Sequence, residues 1–190
     1  MTTPHSTKKR ILVVEDNVDL AIEWKELLEK RIEDSSVDIA HTKEKAEELI
    51  RSCHYDLAIL DIWLPSTEEE FIEVDSIIDN LVEAEAKLQQ LEERMRDGED
   101  TFMDEMKLKS KQSELERKRD EILLVMNGLE IAKHILHNQI NTPFIFLTAI
   151  GDDQQVREIQ KDFTHEVKWL VKPCESSRII DCCKEAMNGQ

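Results

Sequence analysis

Five residues of this chain carry groups that could share one reaction: Glu15, Asp16, Asp61, Thr148 and Lys172. Each stands at the end of a short apolar run. Glu15-Asp16 closes Ile11-Leu12-Val13-Val14, and Asp61 closes Leu57-Ala58-Ile59-Leu60. Thr148 closes Ile145-Phe146-Leu147, and Lys172 closes the run from Val167 to Val171, just before Pro173. Runs this apolar read as strands buried on both faces, the mark of a parallel sheet in an α/β protein. Loops at the carboxyl ends of such strands gather in one crevice. Three carboxylates meeting there would repel one another unless a cation sat among them. A set of hard oxygen ligands suits Mg²⁺. A carboxylate nucleophile, a hydroxyl and an amine around that ion are the parts of a phosphoryl-transfer site.

The elements that would position these groups follow from periodicity. Strands are expected at Ile11–Glu15, Val37–Ala40, Leu57–Asp61, Phe144–Leu147 and Lys168–Val171. Helices are expected at Asp19–Ile32, with Leu20, Trp24, Leu27 and Leu28 on one face, and at Lys43–Cys53, with Thr42 as N-cap. Further helices are expected from Asn127-Gly128 onward, at Asp152–Phe163 and at Ser176–Met187. The alternation predicts an α/β fold: a doubly wound, five-stranded parallel sheet of order 2-1-3-4-5 with right-handed crossovers.

One stretch interrupts this alternation, with an excess of about 59 residues between Pro65 and Gly128, far beyond an ordinary strand-to-helix loop. Val74, Ile77, Leu81, Ala84, Leu88, Leu91 and Met95 follow a heptad seam. Leu108, Leu115, Ile122 and Leu129 recur at sevens on a more polar return arm, and Asp97-Gly98-Glu99-Asp100 reads as the turn between them. The stretch is therefore expected to be an antiparallel helical hairpin, about 40 Å long, with Ile77 opposite Ile122 and Leu91 opposite Leu108. Acidic residues outnumber basic ones there about two to one. The expected organisation is a disordered tail at 1–9, a sheet domain at 10–67 and 127–190, and an inserted antiparallel coiled-coil hairpin at 68–126.

The acidic pair after the first strand, the Asp after the third, Thr148-Ala149 after the fourth and Lys172-Pro173 after the fifth resemble the marks of a response-regulator receiver domain (CheY-like). The resemblance covers the chain outside the insert, which departs from the family pattern. It implies that Asp61 is the phosphoacceptor, that Asp16 and Asp61 hold Mg²⁺ with Glu15 acting through water, and that the backbone carbonyl of Trp63 is a further ligand. Lys172 would pair with Asp61 before transfer and with the phosphoryl group after it, and the Thr148 hydroxyl would take another oxygen. Trp169 occupies the place of the family's switch aromatic, and Pro173 would be cis. Trp63 and Ile150 flank the site, where bulky apolar groups should slow hydrolysis of the acyl phosphate.

The function expected on that basis is a stand-alone response regulator of a two-component phosphorelay, since no output region follows the last helix. It would accept a phosphoryl group from a histidine kinase or a His phosphotransfer protein and signal to an unknown downstream protein. Self-phosphorylation from a phosphodonor and autodephosphorylation would be its only catalysis. A homodimer through the insert is expected, with Val74, Ile77, Leu81, Leu88, Leu91, Leu108, Leu115 and Ile122 as interface candidates and Phe71, Ile78 and Val82 off the seam as further contacts. Two other readings are a constitutive coiled-coil scaffold or adaptor, and a phosphate sink. A phosphatase with an Asp nucleophile would need a second acid two residues on, where Trp63 stands.

Composition limits the partners. A net charge of −17 argues against nucleic acid and against anionic membrane surfaces. Cys53, Cys174, Cys182 and Cys183 lack CxxC spacing, and no long apolar run or signal peptide is present, so a cytoplasmic location is expected. The six histidines do not form a metal set: His134 and His137 share a helix face without a third ligand.

Overall fold

The computed structural model describes residues 8–97, 100–123, 127–149, 161, 163 and 167–188. Its strands are β1 (Lys9–Val14), β2 (Ser35–Ala40), β3 (Leu57–Leu60), β4 (Phe144–Thr148) and β5 (Lys168–Val171). They form one parallel sheet in the order β2-β1-β3-β4-β5, as expected. The expected helix at Asp152–Phe163, the turn glycine Gly98, Ile150 and residues 124–126 fall wholly or mainly outside the described residues. β1 begins at Lys9, which pairs with Ser35, so strand order reaches into the stretch expected to be a tail.

Alternation along the strands divides the core in two. Leu12, Val14, Ala58, Leu60 and Phe146 point to one face, where α2 (Lys43–Ser52) and α5 (Asn127–His137) cover them with Ile50, Ile131 and Ile135. Ile11, Val13, Leu57, Ile59, Ile145 and Leu147 point to the other, under α1 (Val18–Arg31) and α6 (Ser176–Asn188), which supply Trp24, Leu28, Ile179 and Cys183. Each fully buried aliphatic or aromatic side chain adds about 1.5–3 kcal/mol. Both faces being dry explains why these strands are apolar without alternation.

Between β3 and α5 the chain makes two long helices, α3 (Glu68–Arg96) and α4 (Phe102–Leu123), packed on each other. Thr67 caps α3 by accepting from the Glu70 N–H, while the Glu70 carboxylate accepts from the Ser66 N–H at 2.6 Å. Ion pairs one turn apart, such as Glu83–Lys87 and Glu105–Lys109, run along the solvent-facing arms. Glu73 of α3 pairs with Lys118 of α4 across them.

The seam closes within one chain. Val74, Ile77, Leu81 and Ala84 are buried, and Leu88, Leu91, Leu108, Leu115 and Ile122 are half-buried. The half-buried residues keep part of their surface open beside the seam. Among the described residues of the insert, the large apolar side chains that stay exposed are Ile72, Ile78, Val82, Met95, Phe102, Met103 and Met106. α4 contains no fully buried residue, as its polar return arm implied.

Candidate functional site

The site is built at the carboxyl ends of the central strands. β1 delivers Glu15 and Asp16, and β3, hydrogen-bonded beside it, delivers Asp61; the Asp61 N–H donates to the Val14 carbonyl at 2.9 Å. Asn17 caps α1, accepting from the Leu20 N–H at 2.9 Å, so the chain turns away from the crevice directly after Asp16. On the other side, β4 ends at the fully buried Thr148, and the Lys172 N–H donates to its carbonyl at 2.8 Å. The Lys172-Pro173 peptide is cis.

This register brings Glu15, Asp16, Asp61 and Lys172 into one crevice, with Thr148 joined to Lys172 through the main chain. Carboxylate oxygens of Glu15, Asp16 and Asp61 lie within 4.8 Å of one another, with Glu15 and Asp61 buried and Asp16 half-buried. The Lys172 ammonium lies 2.5 Å from Asp61 Oδ2 and also contacts the Glu15 carboxylate. Asp61 Oδ1 accepts from the Ile62 N–H at 2.6 Å, with the Trp63 N–H at 3.4 Å. The two oxygens of Asp61 are therefore differentiated, one held by its own main chain and one facing the amine.

The electrostatics record crowding. Burial first, and the neighbouring Asp61 charge second, push the Glu15 carboxyl up to about 7. The same two causes raise Asp16. Burial alone would lower the Lys172 ammonium, but Asp61 and Glu15 outweigh it and hold it above its ordinary value. One cation facing three carboxylates leaves the cluster short of positive charge. A hard divalent cation fits that deficit, and all three donors are the oxygen ligands Mg²⁺ prefers.

The loop after Asp61 is fastened from two sides, by the start of α5 and by the start of α2. α5 begins against it: the Gly128 N–H donates to the Ile62 carbonyl at 3.1 Å. The buried Asn127 amide donates to the Leu64 carbonyl at 2.6 Å and lies 3.0 Å from Ser66 Oγ. N–H groups opening α2 hold the next two residues, Lys43 to the Pro65 carbonyl and Glu44 to that of Ser66, both at 3.0 Å. Asn127 was expected only at the start of a helix. Its role as a clamp joins residues distant in sequence, and no local pattern announced it.

Trp169, expected as the switch aromatic, is half-buried, its ring centroid 4.4 Å from that of Phe146. Its indole nitrogen is buried without a hydrogen-bond partner among the described residues. Trp63 is half-buried against the core cluster of the α2–α5 face. The four cysteines are free, Cys183 buried and the others half-buried. No described helix is long and apolar enough to cross a membrane.

No family model matches the chain. No curated protein matches it either. Its fold has many solved counterparts. A CheY-like response regulator receiver domain from Methanospirillum hungatei superposes with a TM-score of 0.58 at 16% identity, covering 96% of each chain. The non-phosphorylated HemR receiver domain from Leptospira biflexa gives 0.56 at 22% identity, covering 95% of this chain and 94% of that one. The receiver domain of the Francisella response regulator 1452 gives 0.57 at 16% identity, with 95% and 98% covered. The chain thus has the receiver fold, with a helical hairpin inserted between β3 and α5.

Proposed function

We propose that the protein is a phosphoryl-accepting response regulator of a two-component system, with Asp61 as the acceptor. The observation that carries this reading is Lys172 lying between Asp61 and Glu15 in a crevice holding three carboxylates. Catalysis of phosphoryl transfer is largely positioning and charge neutralisation, and this arrangement supplies both. An Asp61 carboxylate oxygen attacks the phosphorus of a phosphohistidine on a histidine kinase or His phosphotransfer protein. The O–P bond forms, the N–P bond breaks, and the imidazole keeps the electron pair. Lys172 moves its ion pair from the carboxylate to the new phosphoryl oxygens, and Thr148 binds another of them. Glu15, Asp16 and Asp61 would hold Mg²⁺, with the Trp63 carbonyl as a further ligand; bound there, the ion neutralises phosphoryl oxygens as charge builds on them.

The hairpin is read as the output arm. Its exposed Ile78 and Val82 on α3 suit contact with a downstream protein or with a second hairpin. A constitutive scaffold would have no need of the paired amine and carboxylates.

Incubation with acetyl phosphate and Mg²⁺ tests the reading. An acid-stable, base-labile phosphoryl group is expected by intact-mass spectrometry, absent in Asp61→Asn. Labelling that persists in the variant would refute Asp61 as acceptor.

A further inference from the structure

The hairpin touches the carboxylate cluster through a side chain as well as through its own connections. His41 follows β2, and its Nδ1 lies 2.8 Å from the backbone carbonyl oxygen of Glu15. A carbonyl oxygen only accepts, so Nδ1 carries the proton of this bond. The same imidazole stacks on Phe71, with ring centroids 5.3 Å apart and planes 16° from parallel. Phe71 lies in the first turn of α3, its N–H bonded to the Thr67 carbonyl. One ring therefore has a cluster residue's main chain on its edge and the hairpin on its face.

The loop leading into α3 is a poor alternative route for motion. Its residues from Leu64 to Ser66 are held by Asn127 and by the first N–H groups of α2. Phe71 lies beyond those fastenings, one turn into the arm. A tilt of α3 displaces the Phe71 ring before it strains the loop. The stacked imidazole then shifts with it or loses its hydrogen bond to Glu15. Beside this contact, Asp16–Asp19 of the β1–α1 turn and Phe71, Val74, Asp75 and Ile78 of α3 enclose a cleft of about 280 Å³, which leaves the arm room to move against α1.

We propose that His41 is a positioning residue, coupling the tilt of the helical hairpin to the placement of Glu15 through Phe71 on one side and the Glu15 carbonyl on the other. This deepens, and rests on, the reading of the Asp61 cluster as a phosphoacceptor site. Coupling of this kind is reciprocal. Loading the cluster biases the hairpin, and a partner that seizes the hairpin changes the affinity of the cluster for its cation.

The full-length chain provides the test, with Mg²⁺ affinity read by tryptophan fluorescence and hydrogen exchange of α3 amides read with and without Mg²⁺ plus beryllofluoride. In the parent protein the additions should alter exchange along α3. Phe71→Ala and His41→Ala should each weaken Mg²⁺ binding by at least about fivefold and abolish the α3 response. Phe71→Tyr keeps the stacked ring and should restore both, an outcome that a merely structural loss would not predict. Unchanged helical circular dichroism in the alanine variants would show that the arms stay folded. Mg²⁺ affinity within twofold of the parent, with the α3 response retained, would overturn the coupling alone. A parent protein that binds neither Mg²⁺ nor beryllofluoride would overturn the phosphoacceptor reading and the coupling with it.

Discussion

Gly128 is packed so closely on Asp61 that a Cβ at position 128 would stand 1.8 Å from the Asp61 carbonyl oxygen. The residue where the insert re-enters the receiver fold thus lies against the backbone of the proposed acceptor. No side chain fits there, because the obstacle is main chain and cannot swing aside. Gly128→Ala should destabilise the protein by about 3 kcal/mol, through forced separation of α5 from β3. Urea denaturation would check this; a change below 1 kcal/mol would mean that the two elements part without cost.

Asn127 should matter almost as much, for a different reason. It is 1% exposed, and its amide satisfies the Leu64 carbonyl. Asn127→Ala leaves that acceptor without its buried donor and should cost about 2 kcal/mol. Amide exchange should rise first in the residues following Asp61. Unaltered protection there would show that α2 alone holds the loop.

The cluster sets a pH dependence whose sign depends on metal. Burial and Asp61 raise the Glu15 carboxyl from 4.5 to about 7, so between these values the folded metal-free protein holds a proton that the unfolded chain has released. Stability then rises as pH falls through this window and is lost as pH rises, by about 3 kcal/mol in all. With EDTA, Tm should be higher at pH 5.5 than at pH 7.5. Mg²⁺ competes with the proton, so its affinity should fall as pH drops below about 7. A metal-free Tm that climbs with pH across the window would contradict the crowding of the three carboxylates.

Trp63 stands two residues past Asp61 and is half-buried on the core. A bulky apolar group at this position should hinder the water that hydrolyses the acyl phosphate. Trp63→Asn is expected to shorten the phosphoryl lifetime several-fold, measured by decay of the phosphorylated mass. An unchanged decay would assign Trp63 to packing alone.

Two substitutions on one helix separate the closure of the hairpin from its outer surface. Ile77 is 4% exposed and Val82 is 61% exposed. Ile77→Asp buries an unpaired carboxylate and should unfold the distal hairpin, costing about 3 kcal/mol or more. Val82→Asp should leave the melt unchanged within about 0.5 kcal/mol. If the hairpin pairs with a second copy through its exposed stripe, only Val82→Asp will reduce the mass by light scattering without loss of helicity.

The strands, their order and the cluster of Glu15, Asp16, Asp61 and Lys172 were legible because the signals are local. A run such as Leu57-Ala58-Ile59-Leu60 must be buried on both faces, and a polar group at its end must emerge at the rim of the sheet. The hairpin was legible for a similar reason, since a heptad seam repeats over seven residues whatever surrounds it. Its use was not, because a seam that closes on its own return arm says nothing about what its outer surface meets.

The sequence by itself therefore determined the α/β alternation, the chemistry available at the strand ends and the presence of two long helices between Pro65 and Gly128. Tertiary structure alone decided what joins them: Glu15 as a second partner of Lys172, Asn127 on Leu64, His41 between Glu15 and Phe71. Periodicity reports how a residue relates to its own helix or strand. These contacts link groups far apart in the chain, whose meeting depends on where separate elements come to rest against a shared core.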